Sequence, residues 1–246
     1  MRFATFFSLR AATAIVAACA AGAAQADFSF SVTGSANSSI DGDLLKAKAT
    51  LTFTDATDTL TVLLENLAPN AVKTQGNTLS GFYFSADGDP AITKVSAALG
   101  AGSIVTLFNT QVFGDDLNDR WAYRNDITSY TPNTNLRYGM SAVGLGIFTP
   151  ADTFSGTGPS PSGTDFDIVP TAGVTGGGGT DTRRYVNNSM LFTLNTQALL
   201  TAADFQQFAF QYGSALDEPT ILVPEPATLA ALGLGALGLL RRRAKR

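Results

Sequence analysis

Strict alternation of apolar with polar residues constrains this chain most. Ala47, Ala49, Leu51 and Phe53 interleave with Lys48, Thr50, Thr52 and Thr54, as Phe28, Phe30 and Val32 do with Ser29, Ser31 and Thr33. A period of two sends alternate side chains to opposite faces of an extended strand, so each segment buries one face and wets the other. Residues 60–64 continue the pattern after the turn-forming Asp55-Ala-Thr-Asp58. Further strands are expected over 78–85, 102–108, 139–148, 190–195 and 208–212. One short helix is expected at about 196–205, capped by Thr196, with Leu199 and Leu200 packed inward. Seven or more short strands without a βαβ rhythm predict an all-β body, a β-sandwich or jelly-roll-like domain. The Gly- and Pro-rich residues 149–182 read as a loop or flexible insertion, with the tetraglycine 176–179 as a slack connector.

The residue types that are missing exclude much chemistry. The 246 residues include no His and one Cys, which removes Ser-His-Asp and Cys-His triads, His-ligated zinc, and Cys-rich zinc or iron–sulfur sites. Charged residues make up 15% and hydrophobic residues 45%, a balance that a solvated, disordered chain does not have. Residues 27–223 carry nine basic and nineteen acidic side chains, a net charge of −10 that the basic ends reduce to −4 over the whole chain. An acidic body lacks the basic stripe that nucleic-acid binders need, so no nucleic-acid partner is expected.

The two ends carry targeting signals. Residues 1–26 place Arg2 and Arg10 around an apolar stretch, then run through alanines to Ala24-Gln25-Ala26. This has the form of an export signal cut by signal peptidase before Asp27. Val16-Ala17-Ala18-Cys19 offers a rival reading, a lipobox whose cysteine would carry lipid; removal of residues 1–26 would instead leave no cysteine and no disulfide. At the other end Val223-Pro224-Glu225-Pro226 precedes the apolar run 227–240 and the basic stop Arg241, Arg242, Arg243, Lys245 and Arg246. Fourteen residues at about 1.5 Å each span roughly 21 Å, a short transmembrane helix suited to a transient inner-membrane anchor. The terminal cations keep the tail inside by the positive-inside rule, leaving the body outside.

This order of spacer, apolar helix and basic stop, with the tripeptide Pro224-Glu225-Pro226, resembles the PEP-CTERM sorting signal of Gram-negative surface proteins, over about the last 24 residues. The resemblance implies that a membrane-embedded exosortase recognises the tripeptide and processes the tail. It also implies a protein associated with exopolysaccharide, biofilm or outer-surface material. Segments 47–54, 79–84, 121–124 and 211–214 resemble patches of the ectodomains of such proteins, which supports the fold class without supplying a site. Pro224 and Pro226 favour extended backbone, so Glu225 would be presented on an exposed strand as part of a substrate.

Within the body, Asp87-Gly88-Asp89 and Asp41-Gly42-Asp43 fit tight turns and also offer oxygens to Ca²⁺, and no other cofactor is expected. The segment Asp115 to Asp119 lacks the Gly and terminal Glu of an EF-hand loop. Trp121 and Tyr123, two residues apart, face the same way in an extended segment, either as a sugar-stacking patch or as core packing. No catalytic residues are assigned and no enzyme is expected. The expected function is an exported structural or adhesive surface component. The alternative is a secreted carbohydrate-binding or carbohydrate-cleaving β-domain.

Overall fold

The computed structural model describes residues 27–223 apart from 131, 162 and 177–179. The predicted signal peptide, Cys19 and the segment 224–246 with its PEP tripeptide, apolar run and basic stop therefore lie outside the described residues. The first seven strands are β1 (Phe28–Asn37), β2 (Leu44–Thr54), β3 (Thr59–Asn66), β4 (Leu79–Ala86), β5 (Ile92–Leu99), β6 (Ile104–Leu107) and β7 (Thr110–Val112). They are followed by β8 (Ala122–Arg124), β9 (Tyr138–Ser141), β10 (Ile168–Val169), β11 (Arg184–Asn187), β12 (Ser189–Thr196), β13 (Phe205–Tyr212) and β14 (Thr220–Val223). The only helical elements among the described residues are three-residue 3₁₀ turns.

The body is all-β and built of two sheets. One has the order β1-β2-β3-β12-β5; the other runs β14-β13-β4-β10-β11-β6-β7, with β9 paired to β4 and β8 to β9. Every strand pair is antiparallel except β10 with β11. One apolar cluster draws on both sheets: Leu51, Phe53, Leu60 and Val62 from the first meet Phe82, Phe84, Phe208 and Phe210 from the second. The β2 alternation works as expected, since Ala47, Ala49, Leu51 and Phe53 are fully buried while the residues between them are partly exposed.

Strand β4 reads differently because it is buried along its whole length. Phe82 and Phe84 point into the inter-sheet core. Tyr83 points the other way, stacking on Tyr130 with ring centroids 4.1 Å apart. There Ile127, Leu136, Ile147 and Phe148 form a second core over Tyr83 and Ala209. Leu-Ser-Gly-Phe-Tyr-Phe is thus a two-sided strand, and its nearly continuous apolar run is the signature of that burial.

Three expectations are corrected. The described residues of 149–182 are mostly loop, as expected, but not a free insertion: Phe154, Phe166, Ile168 and Val169 are buried, and β10 pairs with both β4 and β11. The expected helix at 196–205 is absent. Thr196 ends β12, Leu199 is 70% exposed, and only a 3₁₀ turn at Ala202–Asp204 forms, capped by Thr201 and Asp204. The expected strand over 139–148 stops at Ser141, where the hydroxyl bonds back to Val143 and the chain turns. Strand β5 was not foreseen, because a bulge at Val95 shifts its inward parity from Ile92 to Ala97.

Gly34 sets the spacing at one corner. A Cβ there would lie 2.7 Å from Ile221 Cγ2, 3.0 Å from Phe210 Cδ2 and 3.1 Å from Val223 Cγ2, so β1 closes on β14 only without a side chain. Gly34→Val is therefore expected to lower stability by about 1–3 kcal/mol through overpacking. Urea unfolding checks this; an unchanged midpoint would contradict the close approach.

Candidate functional site

The aromatic pair is in the core. Trp121 is fully buried, packs on Phe192 at 5.0 Å between centroids, and donates its indole N–H to Phe166 O at 3.2 Å. Tyr123 is 5% exposed and donates its hydroxyl to Ile92 O at 3.1 Å. Both side chains do face the same way, into the main core, while Ala122 between them faces the second one. Neither ring offers a face to solvent, which removes Trp121 and Tyr123 as sugar contacts. Large rings pack there because the inter-sheet space rewards their buried area.

The acidic side chains are largely engaged in local structure. Asp41 accepts from Asn77 Nδ2 and from the Asp43 amide, and Lys73 bonds Asp43 at 2.8 Å. Partial burial pushes the Asp41 carboxyl up, but bonds from Asp43, Asn77 and Ser38 and the charge of Lys73 outweigh it and hold the group below its ordinary value. Asp115 pairs with Arg184 at 2.8 Å, and Asp116 caps the turn at Leu117–Asp119. No three His, Cys, Asp or Glu among the described residues are grouped to hold a metal ion.

Asp87-Gly88-Asp89 is the exposed turn between β4 and β5. Asp89 adopts a left-handed conformation at φ 46° and faces Arg137 at 3.5 Å. Beside this turn lies an open cleft of about 370 Å³ lined by Asp87, Asp89, Asn135, Arg137, Gln206 and Gln207. Its walls are side chains with several donors and acceptors, and the buried Arg137 Nε has no hydrogen-bond partner. The sequence reading found the two aspartates but not the cleft. Asn135, Arg137, Gln206 and Gln207 arrive from two distant segments, and nothing in their local patterns marks them.

A second group missed in the sequence is Asp167, a fully buried carboxyl in the apolar run Phe166-Asp-Ile-Val. Thr78 Oγ1 lies 2.6 Å from Asp167 Oδ2 and 2.7 Å from Gln75 O. The single Thr78 proton serves Asp167 Oδ2 and Gln75 O, while Asp167 Oδ1 is buried with no hydrogen-bond partner. Burial raises the Asp167 carboxyl well above its ordinary 3.8, opposed by the Thr78 bond, with Asp165 and Glu218 adding to the rise and Arg183 countering it. A raised folded-state value means stability that is full below 3.8 and lost as pH climbs toward that value. Asp167→Asn keeps the shape without the ionisable proton. Its stability should match wild type near pH 4 and exceed it increasingly as pH rises, by on the order of 1–3 kcal/mol at the top of that rise. A parallel pH dependence in melts of the two proteins would contradict the raised Asp167 carboxyl.

The chain enters and leaves the body at the same end. Phe28 lies against Phe205 at 6.1 Å, Phe30 against Phe208 at 6.1 Å, and Val223 pairs with Phe208 across β13 and β14. Asp27 begins the described residues there, its carboxylate accepting from the Asp55 amide at 2.9 Å. Val223 is the only residue of Val223-Pro224-Glu225-Pro226 that is described, and it is the last residue of the edge strand β14.

Comparison with known proteins bears on that junction. The profile of the PEP-CTERM protein-sorting motif matches residues 222–245. Neither a curated protein nor a solved structure matches the chain. The matched residues include the tripeptide, the apolar run and four of the five terminal cations, and they begin inside β14. The motif implies an exported protein that is anchored in the membrane before processing and that involves an exosortase. The chain is an all-β body that ends in a PEP-CTERM protein-sorting motif.

Proposed function

We propose that the protein is a structural or adhesive component of the outer surface or matrix. Signal peptidase releases Asp27 as the new N-terminus, and the β-sandwich body folds outside the inner membrane. The apolar run 227–240 and its basic stop hold it there until exosortase acts at Pro224-Glu225-Pro226, after which it joins exopolysaccharide or biofilm material. The observation that carries this reading is the join itself: a folded body runs into the matched sorting motif without an intervening linker. The body serves through its surface and not through catalysis. Several of its acids hold turns and ion pairs, as at Asp41, Asp43, Asp115 and Asp116.

The tail is tested by Glu225→Ala in the native host. The expected result is retention of the basic stop and accumulation in the inner-membrane fraction, read by fractionation and immunoblotting. Unchanged transfer to the surface or medium would overturn the exosortase assignment.

A second reading, carbohydrate binding or cleavage, draws support from the polar cleft, because amide, carboxylate and guanidinium groups pair well with sugar hydroxyls. Arg137→Ala with Asn135→Ala should then reduce co-sedimentation with host exopolysaccharide at least tenfold while the melting temperature moves little. Equal recovery of wild type and variant would argue against the cleft, and sugar release by wild type would favour cleavage. Ca²⁺ at Asp87 and Asp89 belongs to this reading; a melting temperature unaffected by EDTA would remove it.

A further inference from the structure

The matched sorting motif and the fold share two residues. Leu222 and Val223 belong both to residues 222–245 and to β14, where they pair with Ala209 and Phe208 of β13. Beyond Val223 an extended chain advances about 3.3 Å per residue, so Pro224 to Pro226 lie within roughly 10 Å along the chain from the edge of a folded sheet. An enzyme that binds a peptide in an extended form needs free backbone on both sides of the residues it reads. While β14 stays in place, β13 holds the inner backbone groups on the N-terminal side of the tripeptide and only the outer edge is free.

β14 is built so that it can leave. It is four residues long and stands at the end of its sheet with β13 as its one hydrogen-bonded neighbour. Leu222 is 50% exposed, and only Ile221 of the strand is buried. Against β1 it is held by Ile221 and Val223, whose side chains pack over the bare backbone of Gly34. The turn that precedes it, Gly213 to Pro219, is held by Glu218, which accepts from the amides of Ser214 and Ala215. Releasing β14 as far as this turn adds the four strand residues, about 13 Å of free chain, upstream of Pro224. The remaining partners of β13, above all β4, are untouched by that release.

We propose that β14 is the upstream part of the segment that the processing enzyme engages, and that it must detach from β13 before the tail is processed. This rests on the exosortase reading above. The folded edge then acts as a brake on processing, and loosening it speeds the step.

A staple tests this in the native host. Ala209 and Leu222 are direct partners on adjacent antiparallel strands, a spacing compatible with a disulfide. The sequence's one cysteine, Cys19, lies in the predicted signal peptide. Wild type, Ala209→Cys and Leu222→Cys should lose the tail at similar rates, read by the mass of the C-terminal peptide. The double variant, oxidised, should lose it at least tenfold more slowly. Inserting Gly-Ser-Gly-Ser-Gly-Ser-Leu-Val between Val223 and Pro224 of the stapled protein restores a free upstream segment and should return the rate to that of wild type.

Processing of the stapled protein at the wild-type rate would overturn the proposal. So would a block that the insertion fails to relieve, since the block would then come from a damaged fold. A wild-type protein that keeps its tail in a host with active exosortase would instead overturn the sorting reading, and this inference with it.

Discussion

The packing of one sheet's aromatic face on the other is the interaction on which the rest depends. Phe28 and Phe30 of β1 pack across onto Phe205 and Phe208 of β13, Trp121 reaches across to Phe192 of the opposite sheet, and Phe82 and Phe84 extend the layer within the second sheet by stacking on Phe208 and Tyr138. Each large apolar side chain contributes about 1.5–3 kcal/mol when fully buried. The described residues contain no cysteine, so no disulfide assists them. This aromatic layer carries the load that disulfides carry in many exported domains. It also explains why Trp121 and Tyr123 were drawn inward: the space between two sheets favours rings over any solvent-facing role.

Where the physics was local, the sequence was legible. Strand β2 pairs with β1 and β3 over ten and eight residue pairs in unbroken register, and its strict alternation survives because nothing interrupts it. Strand β5 has equally apolar residues, yet the bulge at Val95 breaks its parity, and a period-two pattern cannot be seen through a bulge. Residues 149–182 looked like a loop because glycine and proline dominate them. Two short stretches, Phe154 and Phe166 to Val169, nevertheless supply core residues and the strand between β4 and β11. Short buried strands in Gly-rich surroundings carry too few residues for a pattern.

The candidate site divides the same way. The tail was readable because each of its parts answers to the membrane or to backbone stiffness, which act on consecutive residues. The cleft beside Asp89 was not, since Arg137 and Gln207 meet only after the chain has folded. Asp167 stands between these cases. A lone acid in an apolar run is visible in sequence, but its burial and its contact with Thr78 follow from where β10 lies.

The account centres on a folded body delivered by its two ends, and the termini of the mature protein test that most directly. Intact mass of the protein isolated from its native host, with both terminal peptides sequenced, is the measurement. A chain that begins at Asp27 and ends near Pro224-Glu225-Pro226 is the predicted result. A chain that still carries Arg241 to Arg246 would contradict it and leave the motif as an unprocessed membrane anchor.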